Sequence, residues 1–119
     1  MANNSVNLAL RFVLEMAALA ALGYWGWTQH SGFARWGWTL ALVIGAAFLW
    51  GTFRVPDDPG AAPVAVPGIV RLLLEAAFFG AAVALLALAG RQQWAIVLGV
   101  VLVLHYAVSY DRIQWLLKQ

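Results

Sequence analysis

Cysteine is absent from this chain, which excludes disulfides, thiol chemistry and cysteine-ligated metals. Charge is scarce as well. Only 10% of the residues are Asp, Glu, Lys or Arg, and none of them falls within residues 16–34, 36–53, 76–90 or 92–110. A soluble domain of 119 residues needs far more polar surface than this. Proline is confined to one place: all four prolines lie between Pro56 and Pro67, so the remaining stretches contain no strong helix breaker. No nucleophile motif, metal-ligand set or phosphate-binding loop stands out, so no cofactor or metal is expected and an enzyme is the less favoured class. With a net charge of only +2, no nucleic-acid partner is expected either.

What the chain does have is hydrophobic length. Apolar residues make up 64% of it. A helix rises ~1.5 Å per residue, so ~20 residues cross a ~30 Å hydrocarbon core. Extending each uncharged run slightly into its flanks predicts four spans, at roughly 8–27, 36–53, 69–89 and 93–110. The expected fold is an all-α integral membrane protein, a four-transmembrane-helix bundle forming a single domain over 1–119. A cleavable signal peptide fits the first span poorly, because no basic segment precedes it and Glu15 interrupts it.

The links organise the spans. Residues 28–35 and 90–92 are short, which predicts two antiparallel hairpins. Between them, residues 54–68 ("RVPDDPGAAPVAVPG") read as an irregular linker, since proline removes a donor and disfavours helix in the residue before it. Arg11, Arg54, Arg71, Arg112 and Lys118 fall on the side of the termini and linker, against Arg35 and Arg91 on the other. The positive-inside rule then predicts a bacterial inner-membrane protein with cytoplasmic N- and C-termini and a cytoplasmic linker. Trp25, Trp27, Trp36, Trp38 and Trp94 gather at the outer ends, while Trp50, Phe53, Tyr110 and Trp115 mark the inner side. An interfacial aromatic belt explains them more simply than a tryptophan-lined ligand cage.

One motif occurs twice. "RFVLE" (Arg11–Glu15) and "RLLLE" (Arg71–Glu75) head the first and third spans. A shift of sixty residues aligns them, and a shift of fifty-eight aligns Trp36 with Trp94 and Arg54 with Arg112. An internal duplication of hairpins follows, with its pseudo-axis along the membrane normal. Arginine at a helix end can snorkel to the headgroups, but a glutamate four residues on lies ~6 Å deeper on a shorter side chain. Its charge needs a partner or water. The i−4 arginine is one partner, and inter-helix partners are expected too, with Arg112 and Arg54 the first candidates.

Depth identifies the rest of the cluster. His105 precedes Arg112 by seven residues, or ~10 Å along a helix, near the level of the glutamates. Tyr106, Ser109, Tyr110 and Asp111 add donors and acceptors. The candidate ligand- or ion-binding residues are Arg11, Glu15, Arg54, Arg71, Glu75, His105, Tyr106 and Arg112. They make either a self-satisfied network that fixes helix register, or a site open to the cytoplasm. His30 and His105 fall near opposite faces and cannot share a haem iron within one chain. Ala76, Gly80 and Ala84, and likewise Ala41 and Gly45, form small-residue ridges for close helix approach, within the chain or between copies in a homo-oligomer.

"NLALRFVLEMAALAALGYWGW", "WGTFRVPDDP" and "HYAVSYDR" together resemble the YrdB-like family of small bacterial membrane proteins. The likeness runs over nearly the whole chain and rests on the R-x-x-x-E opening, the GYWGW end of span 1 and the W-G-x-F-x-x-P exit from span 2. That family has no known function, so the resemblance implies four spans and no activity. Small multidrug transporters also have four spans and a glutamate in the first. This chain departs from them in its second glutamate and its one-sided Lys/Arg distribution. The expected function is binding or transport of an ion or small molecule at the Arg/Glu/His cluster. The rivals are a membrane accessory subunit with a structural polar network and, third, an enzyme acting on a lipid-soluble substrate.

Orientation is directly testable. Reporter fusions at Gln119 should read cytoplasmic, and fusions in the loop near His30 should read external. A C-terminal fusion reporting from outside the cell would reverse the assignment.

Overall fold

Asn4 starts the first helix, its side chain accepting a hydrogen bond from the Val6 amide at 2.9 Å. That satisfies one of the amides a helix start leaves without a partner. The helix, α1 (Ser5–Thr28), is followed by α2 (Gly32–Thr52), α3 (Gly68–Leu88), α4 (Gln92–Val108) and α5 (Tyr110–Leu117). The structure, a computed structural model, describes residues 4–56, 58 and 62–119. The α1–α2 turn uses Gly32 at φ 60° and the α3–α4 turn uses Gly90 at φ 83°, a region that disfavours side chains. At Gly90 the Arg91 amide reaches back to the Leu86 carbonyl, closing the C-terminal end of α3.

Three helices, α1, α2 and α3, are long and apolar enough to cross a membrane. The expected fourth span, 93–110, falls on α4. Here α4 ends at Val108, and α5 leaves at 69° after a break at Ser109. The sequence turns polar at that point, and the new direction carries Arg112 toward acidic partners described below. Counted together, the bent pair makes up to four membrane-crossing elements. The linker is also more ordered than expected. Phe53–Arg54 (β1) pairs in parallel with Val64–Ala65 (β2), although residues 57 and 59–61 of the linker lie outside the described residues.

The core runs between α1, α3 and α4. Leu14, Ala18, Ala21 and Leu22 of α1 meet Phe78, Phe79 and Ala82 of α3 and Leu98 and Leu102 of α4. Helix α2 flanks α1 and buries none of its residues. Apolar side chains such as Phe48, Leu73, Val103 and Leu104 face outward, the surface a hydrocarbon environment would cover. Tyr24 and Arg91 bond at 2.7 Å, which joins the last turns of α1 to the α3–α4 turn at one end of the bundle.

Close backbone approach occurs at two glycines. A side chain on Gly26 would meet the Thr39 backbone at 2.9 Å, and one on Gly68 would strike the Leu116 carbonyl. The first contact seats α2 on α1, and the second lays α5 across the start of α3. Gly45 and Gly80, by contrast, have nothing within 4 Å of an added methyl, and Ala41, Ala76 and Ala84 are exposed. Both small-residue ridges therefore face away from the described packing of the chain.

Thermal melts in detergent should separate these positions. Gly26→Ala and Gly68→Ala are expected to destabilise by roughly 1–3 kcal/mol, the usual penalty for overpacking. Gly45→Ala and Gly80→Ala should melt with the parent or slightly above it.

Candidate functional site

Glu75 lies two turns into α3 and has no solvent exposure. A charge so placed has to be surrounded by donors. Its Oε1 accepts the Tyr106 hydroxyl at 2.7 Å. Its Oε2 meets Arg71 Nε at 2.9 Å, Arg11 Nη2 at 3.0 Å and Arg112 Nη2 at 2.6 Å. These donors come from α3, α1, α5 and, through Tyr106, α4. One carboxylate thus ties four helices together.

Each arginine also holds a second acceptor. Arg11 Nε lies 3.2 Å from Glu15 Oε1, along its own helix. Arg112 grips Asp58 with both terminal nitrogens, at 2.8 and 3.0 Å. Arg71, only 1% exposed, donates from Nη1 to the carbonyls of Trp50 at 2.6 Å and Phe53 at 3.0 Å. Those carbonyls close α2, where the helix dipole is negative and a cation is favoured. The Trp50 ring lies under Arg71 at 4.2 Å and under Arg11 at 5.5 Å, adding cation–π attraction. The linker enters the cluster through Asp58, whose amide bonds Val55 in a turn.

A neutral chain of hydrogen bonds runs alongside. Asn7 Nδ2 donates to Ser109 Oγ at 2.7 Å, leaving Asn7 Oδ1 as the acceptor 3.1 Å from His105 Nδ1. His105 therefore carries its proton on Nδ1, and Nε2 presents a lone pair. That Nε2 is buried without a hydrogen-bond partner, as are Arg11 Nη1 and Arg112 Nε. Beside both networks lies a cavity of about 680 Å³. Its wall includes Arg11, Arg54, Arg71 and Arg112, the carboxylates of Glu15, Asp58 and Asp111, and His105. Asn7, Ser109, Leu8, Trp50 and Trp115 complete it.

All eight residues anticipated from the sequence come to this end of the bundle. Arg11, Glu15, Arg54, Arg71, His105 and Arg112 line the cavity, while Glu75 and Tyr106 bond just behind its wall. Their roles differ from the expectation in one respect. The two glutamates are not equivalent: Glu75 is sealed by cations from three helices, whereas Glu15 is 19% exposed and held by its own i−4 arginine. Asn7, which the sequence reading did not single out, is the bonding partner of His105.

Asn7, Asp58 and Trp50 escape a sequence reading. Asn7 had a signal, since Asn7, Arg11 and Glu15 recur every four residues on one helical face. Asp58 had none, because its place depends on a linker fold.

Fold and site define a class: a small helical protein with apolar helices of membrane-crossing length and a buried arginine–carboxylate cluster beside a polar cavity. Within that class the chain belongs to the family described as "Protein of unknown function (DUF2568)", which matches residues 9–103. It is 41% identical over 119 residues to "Uncharacterized protein YrdB" of Bacillus subtilis (strain 168), a match covering 98% of this chain and 97% of the relative. No solved structure matches the chain.

The asymmetry of the glutamates has a measurable consequence. Glu75→Gln leaves three guanidinium groups facing an amide and should cost ~3–5 kcal/mol, the range for stranding buried charges. Glu15→Gln should cost no more than about 1 kcal/mol, as for a partly exposed pair. Paired thermal melts check the difference, and equal losses would contradict it.

Proposed function

We propose that this is an integral membrane protein that binds or transports an ion or small molecule in the cavity beside Glu75. One observation carries the reading: a space of about 680 Å³, lined by both polar and apolar groups, adjoins the charge cluster around Glu75. A cluster that only braced helices would have no use for such a space. Its volume lies within the ~300–1,000 Å³ of small-molecule sites. In this reading α4 and α5 form one bent span, giving four spans in a single domain over 1–119. The break at Ser109 lines the cavity, where irregular backbone is tolerated in membranes.

The gathering of Arg11, Arg54, Arg71 and Arg112 at one end, with Arg91 bonded to Tyr24 at the other, supports cytoplasmic termini and a cavity facing the cytoplasm. Both R-x-x-x-E pairs use the arginine Nε, at 3.2 Å in the first hairpin and 2.9 Å in the third helix, which supports an origin by duplication. The accessory-subunit reading draws on a separate observation, the complete satisfaction of Glu75 by four donors. The two readings divide the site: Glu75 braces the bundle, and the cavity-lining side chains do the binding.

Purified protein in proteoliposomes, assayed for flux with and without a proton gradient, tests this division. Glu15→Gln should leave the fold intact and reduce flux at least tenfold. Parent protein that moves no solute and releases none on unfolding would leave the bracing role alone.

A further inference from the structure

We infer that the ligand of the cavity carries an oxyanion, a carboxylate or phosphate group, on a small organic body; this rests on the binding reading above. The argument starts from what the wall leaves unsatisfied. Arg11 Nη1 and Arg112 Nε are buried without a hydrogen-bond partner, and both residues line the cavity. A guanidinium nitrogen only donates and does not lose its proton in proteins. Each therefore asks for an acceptor, and charged acceptors make the stronger bonds.

The acceptors already nearby are committed elsewhere. Asp58 takes both terminal nitrogens of Arg112, Glu75 takes four donors, and Glu15 sits on Arg11 Nε. Both nitrogens are shielded from water-sized contact, so an incoming acceptor completes the arginines after a side-chain shift that opens them to the cavity. The third unpartnered atom, His105 Nε2, offers a lone pair. It accepts from a hydroxyl on the ligand or from a proton that arrives with it.

Size and charge narrow the class further. Leu8, Trp50 and Trp115 give the wall an apolar share, which suits an organic body better than a bare ion. Four arginines share that wall with three carboxylates and have Glu75 just behind it, so the formal charges balance and a monoanion fits better than a dianion. A metal cation is disfavoured on a separate ground. No group of three or more His, Asp or Glu side chains arranged to hold a metal occurs among the described residues.

The test uses the full chain in a neutral maltoside detergent, with calorimetric titration of butyl phosphate, butyrate, butylammonium and butanol. Butyl phosphate or butyrate should bind at least tenfold more tightly than butylammonium or butanol. Arg11→Lys keeps the positive charge but removes Nη1, and should weaken anion binding at least tenfold. Leu8→Trp, which fills the cavity from outside the charge cluster, should abolish binding and keeps the test decisive if Arg11→Lys does not fold. Nanodiscs with and without phosphatidylglycerol separate the sources: competition by that lipid assigns the oxyanion to a headgroup, and its absence assigns it to a soluble molecule. Preference for butylammonium or butanol would overturn the inference and leave the binding reading standing. No binding of any of the four probes would remove both.

Discussion

A carboxylate sealed from water in an apolar bundle imposes its terms on everything around it. Glu75 sits at 0% exposure, and its four donors arrive from α1, α3, α4 and α5. Three positive charges on one carboxylate would repel one another without further anions. Glu15, Asp58 and the carbonyl end of α2 supply that compensation, one to each arginine. The cluster is thus closed electrostatically. The features that look incidental in the chain, a bent C-terminal helix and an acidic turn in a proline-rich linker, are what close it.

This constraint explains the local geometry at both ends of the cluster. Arg112 reaches Glu75 because α5 turns by 69° after Ser109. That turn brings Leu116 onto α3, where Gly68 leaves room for its backbone. Ser109 itself accepts from Asn7, which fixes the end of α4 against the start of α1. Linker order follows similarly. The β1–β2 pairing and the Val55–Asp58 turn hold Asp58 where Arg112 can grip it with two nitrogens. A bidentate grip is demanding in geometry, so it fixes where Asp58 sits.

Much of this was legible in the sequence because hydrophobic length and charge placement are strong local signals. Helices α1, α2 and α3 follow from uncharged runs bounded by glycine, polar residues or proline. The gathering of Arg11, Arg71, Glu75, Tyr106 and Arg112 follows from depth along each helix. What failed to show were features decided between elements. The break at Ser109 depends on partners from α1, α3 and the linker, and a hydropathy window sees none of them. Asp58 lies in a linker without helical periodicity, so no pattern marks it as a partner for Arg112. The repeated motif invited equal roles for Glu15 and Glu75, yet identical spacing does not fix how much of each helix neighbouring elements cover. Trp50 reads as an interfacial aromatic, but its ring lies between two guanidinium groups and the Phe78 and Phe79 side chains.

The order of the cluster's members along the chain has a bearing on how the protein is made. Arg11 and Arg71 both precede Glu75, so a nascent chain contains two of the three counterions before the buried acid leaves the ribosome. Tyr106 and Arg112 follow later, and Arg112 arrives only seven residues before Gln119. Until Arg112 is made, the cluster is undercompensated and anionic, with Arg11 and Arg71 set against Glu15, Asp58 and Glu75. Its neutral form is complete only when α5 folds over the start of α3. A chain truncated before Tyr110 would keep its apolar helices and lack the latch that fastens them.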